Sequence, residues 1–106
     1  MAYFEHLLDG HRDDLEELCR KFAVLRLKIF GSAVTTEFDP ARSDLDFLAE
    51  FAPPPAGMRL AHQFFGFHEG LEAIFSRPVD LLEESAIENE HLRLSALSTA
   101  VTLYGA

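Results

Sequence analysis

Phe30-Gly31-Ser32 and, after eleven intervening residues, Asp44-Leu45-Asp46 are the segments whose residue types could do chemistry. Residues two apart on a strand share a face, so Asp44 and Asp46 aim both carboxylates at one spot. A third acid, Asp80, stands in the short apolar run Val79-Asp80-Leu81-Leu82. Carboxylates gathered on neighbouring strands repel one another unless a cation sits between them. Hard oxygen donors of this kind suit magnesium, and magnesium suits a nucleoside triphosphate. Gly31 ends an apolar strand, where a missing Cβ lets backbone approach phosphate oxygens. Ser32 adds a hydroxyl and an N–H, and a helix beginning there would turn further donors towards an anion.

A lone Asp-x-Asp arises easily by chance in a chain with seven aspartates. The simpler reading is that Asp44, Asp46 and Asp80 are solvated or paired with Arg26, Lys28 or Arg42. Their position beside a Gly-Ser turn favours the cation reading instead. A calcium loop over 39–50 is excluded, because its third position is Ala41 and its sixth is Asp44 where an EF-hand needs Gly. The histidine pairs His6/His11 and His62/His68 lack the same-face spacing of a zinc-binding helix.

The elements that must position these residues are legible in outline. Apolar residues at helical spacing predict a helix over 3–21, with His11 and the single Cys19 on its buried stripe and an acidic opposite face. A strand is expected over 24–30, with Leu25, Leu27 and Ile29 alternating with Arg26 and Lys28. A second follows over 45–51, with Leu45, Phe47, Ala49 and Phe51 facing the core and Asp46, Leu48 and Glu50 facing the functional side. Between them, 34–43 is weakly patterned and polar. Pro53-Pro54-Pro55 closes the second strand as a stiff connector.

A helix is expected over 59–75 with Ala61, Phe64, Phe65, His68, Leu71, Ile74 and Phe75 on one side, although Gly66 and Gly70 weaken it. A strand over 79–82 carries Asp80. Ser85-x-x-Glu88 has the form of a capping box opening a third helix to about Ser98, and 100–104 supplies a last strand ending near Tyr104. Part of the cluster Phe64, Phe65 and Phe67 is a candidate for a partner-facing surface. The fold class expected is α/β (α+β): one domain over 1–106, a small mixed sheet carrying the aspartates on one face and helices on the other.

The 106 residues carry 18 acids against nine Lys and Arg, a formal charge of −9. That balance excludes a general basic nucleic-acid surface and favours a basic protein partner. No apolar run approaches the roughly 18 residues of a membrane span, and no signal peptide is visible, so a cytoplasmic protein is expected.

Phe30-Gly31-Ser32, Arg42-Ser43-Asp44-Leu45-Asp46-Phe47-Leu48 and Arg77-Pro78-Val79-Asp80-Leu81 together resemble the minimal nucleotidyltransferases of the DNA polymerase β superfamily. The resemblance spans nearly the whole chain. One departure is the eleven residues between Gly-Ser and the first Asp, where the commonest family spacing is ten. The resemblance implies the polymerase β-like fold, Gly31 and Ser32 on the triphosphate, Asp44 and Asp46 on two Mg²⁺ ions, and Asp80 on the ion that activates the acceptor hydroxyl. It also implies an antitoxin that moves AMP from ATP to a tyrosine of a HEPN ribonuclease toxin, in a hetero-oligomer. Two alternatives stand beside it: a non-catalytic antitoxin that neutralises by binding, and a transferase acting on a small molecule.

Overall fold

The computed structural model describes residues 8–34 and 44–105, apart from the side chains of Ser32, Ala33 and Leu92. The expected helix over 3–7 and the 35–43 loop, with its extra residue and Arg42, lie outside the described residues. In chain order the elements are α1 (Arg12–Lys21), β1 (Val24–Phe30), a 3₁₀ turn (Gly31–Val34), β2 (Leu45–Phe51), α2 (Leu60–Phe75), β3 (Val79–Glu83), a second 3₁₀ turn (Glu84–Ala86), α3 (Glu90–Thr99) and β4 (Val101–Tyr104). The four strands form one mixed sheet in the order β3-β2-β1-β4. β1 runs antiparallel to β2 and β4, and β2 runs parallel to β3.

β1 and β2 occupy the spans their alternation predicts, and their inward residues form the core. Leu27, Ile29, Leu45, Phe47 and Ala49 pack in one cluster with Leu15, Cys19 and Phe22 and with Phe67, Leu71 and Phe75. Phe47 stacks on Phe75 at 5.8 Å between ring centres. Burial pushes the Cys19 thiol up to about 12, Glu16 adding to this and Arg20 opposing it, so the residue is the inert core group its sequence position implies. The edge of Phe75 also receives the His11 ring, 5.7 Å away.

Several local expectations are corrected. The first helix is not continuous: Asp9, Gly10 and His11 form a turn, with Gly10 at φ +80°, and α1 starts afresh at Arg12. Leu25 is 53 % exposed, because the β1–β2 register slips by one residue between Val24 and Arg26 and the bulge turns its side chain outwards. Leu48, read as part of an open face, is buried; the Glu84–Ala86 turn packs against β2 on the same element. Ser85 caps no helix. Its hydroxyl donates to the Glu83 carboxylate at 3.1 Å, and α3 begins five residues later.

The buried face of α2 is also rotated from the one expected. Gln63, Phe67, Leu71 and Phe75 point inwards, whereas Ala61 is exposed and Phe65 is 65 % exposed. Gln63 is the buried polar residue among them. Its side-chain amide donates to Phe22 O and to Ala52 O, both at 2.9 Å, tying the end of α1 to the exit of β2.

The glycines that weaken α2 as a helix are what allow it to approach α1. A Cβ at Gly66 would lie 2.6 Å from Phe22 Cε1, and one at Gly70 2.5 Å from Leu18 Cδ1. Gly66→Ala would gain about 1 kcal/mol of helix propensity yet force the buried Phe22 ring to move, at about 1–3 kcal/mol. The expected outcome is a lower urea midpoint than wild type, with the helical circular-dichroism signal retained.

Candidate active site

The site is built by two neighbouring strand pairings. Antiparallel pairing sets Phe30 opposite Asp46, and parallel pairing sets Asp46 opposite Asp80. Neighbouring strands lie about 4.8 Å apart, so two carboxylates at matched positions on one face are brought side by side. Gly31 follows Phe30 directly and lies against Asp46: a Cβ there would sit 2.6 Å from Asp46 Oδ2. Its φ of +75° is a left-handed conformation that glycine adopts freely. Gly31 therefore meets two demands, the turn and the space for a carboxylate.

The electrostatics report the crowding. Asp46 is raised from an ordinary 3.8 to about 6, first by burial, then by the charge of Asp80, by a side-chain hydrogen bond with Asp80, and last by the charge of Asp44. A hydrogen bond between two carboxyl groups needs a proton on one of them. Two of the bases that could have neutralised the aspartates, both on β1, are engaged elsewhere. Arg26 pairs with Glu50 at 3.6 Å, and Lys28 with Glu84 at 4.0 Å. Salt-bridging by Arg26 or Lys28 therefore does not account for the aspartates.

Asp46 and Asp80 are brought together, and Gly31 is brought to them. Asp44 is exposed just before β2, and its charge is the last of the influences that raise Asp46; among the described residues no group of three His, Cys, Asp or Glu side chains forms a ready metal cage. Ser32 lies in the Gly31–Val34 turn, which has four residues rather than a full helical start. Thr99, at the end of α3, was not singled out by sequence; its hydroxyl accepts the Gly31 N–H at 3.5 Å. Tyr104 packs against the core cluster. The crowded pair Asp46/Asp80 fits Mg²⁺, which is commonly held by one or two carboxylates together with substrate phosphates.

A mixed sheet with paired strand carboxylates beside a glycine turn defines a nucleotidyl-transfer type of fold. The nucleotidyltransferase domain family model matches residues 12–102, and the chain belongs to that family. Among solved structures it is similar to a protein assigned as a minimal nucleotidyltransferase, at 26 % identity and TM-score 0.69 over 95 % of both chains. It shares its fold with a toxin–antitoxin structure holding AMP-PNP (16 % identity, TM-score 0.67, 90 % of this chain and 73 % of that one). It also shares it with the complex of a tri-AMPylated Shewanella oneidensis HEPN toxin and its MNT antitoxin (15 % identity, TM-score 0.62, 92 % and 72 %). No curated protein sequence matches the chain. Among the described residues, no helix is long and apolar enough to cross a membrane.

The raised Asp46 sets a pH dependence. Because its folded value lies above its unfolded one, its contribution to stability is present below about 4 and is lost as pH rises through about 6. Cation-free Asp46→Asn is therefore expected to melt above wild type at pH 7.5 and level with it near pH 4. Adding Mg²⁺ should narrow the gap at pH 7.5, as differential scanning fluorimetry would show.

Proposed function

We propose that this protein is an Mg²⁺-dependent adenylyltransferase that moves AMP from ATP to a hydroxyl, a tyrosine in the leading reading, of a HEPN ribonuclease toxin, and so acts as its antitoxin in the cytoplasm. The observation that carries the reading is the Asp46–Asp80 pair packed against Gly31. The fold relatives support the partner, since an MNT antitoxin is seen with an AMPylated HEPN toxin. A formal charge of −9 suits a toxin whose RNA-binding surface is basic.

In this reading Asp44 and Asp46 hold two Mg²⁺ ions and Asp80 completes the site of one. Bound there, the ions neutralise the triphosphate and lower the pKa of the acceptor hydroxyl. Gly31 keeps the wall beside Asp46 free of side chain, so that phosphate oxygens would reach a cation held by the carboxylates. Gly31 and Ser32 flank the triphosphate at the end of β1. The acceptor oxygen forms a bond to the α-phosphorus, the bond to pyrophosphate breaks, and the hydroxyl proton passes to solvent water. Asp46 and Asp80, crowded in the free protein, have their mutual repulsion relieved as the site fills.

The second reading is neutralisation by binding alone. Intact mass of the co-purified partner, with and without ATP and Mg²⁺, separates the two. Under the transferase reading the partner gains one or more AMP units. Asp44→Ala and Asp46→Ala remain folded and lower the rate by about 10³-fold or more, the loss expected when several kcal/mol of metal-ion catalysis is removed. A partner that binds and keeps its mass establishes the second reading. Gly31→Ala is expected to leave partner binding intact while cutting transfer, read in the same assay.

A further inference from the structure

β3 is an edge strand of the sheet, paired with β2 alone, so its outer backbone groups have no strand partner. Leu45 N–H donates to Pro78 O at 3.1 Å. In parallel pairing the N–H and C=O of one residue face the same side, so Val79 turns both its groups away from β2. Both are taken by side chains of α2. His68 Nε2, which must carry the proton, donates to Val79 O at 2.6 Å. Val79 N–H in turn donates to Glu72 Oε2 at 3.0 Å. The other Glu72 oxygen lies 3.8 Å from His68 Nδ1, one helical turn away. Two side chains of one helix thus hold both backbone groups of the residue that immediately precedes Asp80.

We propose that His68 and Glu72 are positioning residues that lock the start of β3 and so hold the Asp80 carboxylate level with that of Asp46. Neither side chain touches the aspartates; each acts through the Val79 peptide groups. Without them, Val79 would hydrogen-bond to water and β3 would be held by β2 alone. A displacement of Asp80 by part of a residue's length would separate the two carboxylates. This deepens the proposed function and rests on it for the cation role of Asp80.

The test compares wild type, Asp80→Asn, His68→Ala, His68→Gln and Glu72→Ala, without nucleotide. Mn²⁺ binding is followed by water-proton relaxation, and amide exchange and chemical shifts by NMR. The expected result is a rise of about tenfold in the Mn²⁺ dissociation constant for His68→Ala and Glu72→Ala, the scale for residues that orient metal ligands. His68→Gln, whose amide can still donate to Val79 O, should restore binding, and Val79 N–H should exchange faster in Glu72→Ala. Wild-type Mn²⁺ affinity in both alanine variants overturns the proposal, as does weakening that His68→Gln fails to rescue. If wild type and Asp80→Asn bind Mn²⁺ equally, the cation role of Asp80 fails separately. The lock is then decided by the NMR: moved Val79 and Asp80 signals in the alanine variants sustain it, and unmoved signals overturn it. Should His68→Ala not fold, Glu72→Ala, which leaves the His68 bond in place, carries the comparison.

Discussion

Two carboxylates held at matched positions on adjacent parallel strands are an electrostatic load that the rest of the molecule has to sustain. Asp46 and Asp80 repel one another, and Asp46 is also partly removed from water, so its carboxyl is held well above its ordinary range. The pairing of β2 with β3 cannot relax this by slipping. A shift of one residue would turn Leu45, Phe47, Val79 and Leu81 out of the core. Burial of those residues on one face thus fixes the crowding on the other.

The arrangement around the pair follows from that crowding. β1 supplies Gly31, whose lack of a side chain leaves room for the Asp46 carboxylate, while the Thr99 hydroxyl accepts its N–H. The basic residues of β1 are drawn to Glu50 and Glu84, further along the same face, and so do not pair with the aspartates. On the far side of the sheet, α1 and α2 close over the core with Gly66 and Gly70 at their contact. From α2, His68 and Glu72 reach Val79 at the edge of the sheet. One helix therefore covers the core and restrains the strand bearing Asp80.

Where local pattern and structure part company, the reason is physical in each case. The bulge at Leu25 depends on how β1 meets β2, which alternation within β1 does not contain. The face of α2 was misread because Gln63 is polar and Phe65 apolar, yet Gln63 satisfies two backbone carbonyls inside and Phe65 stands outside. Glycine in a helix reads as weakness until the partner helix is in place. Ser85 and Glu88 match a capping box, but the chain after Glu83 turns through a 3₁₀ segment first. Short-range signals compete there with the geometry needed to bring α3 beside β1.

What the sequence determined by itself was local: the spans of β1 and β2, the core residues on their inward faces, and the residue types able to bind a cation and phosphate. These follow from period-two alternation, turn residues and the chemistry of carboxylates, all contained within a few neighbouring positions. The tertiary structure alone decided that β2 and β3 run parallel with Asp46 opposite Asp80, and that Gly31 faces Asp46. It alone joined His68 and Glu72 to Val79. Those relations join positions distant along the chain, and they are set by the packing of whole faces rather than by any segment's own preference.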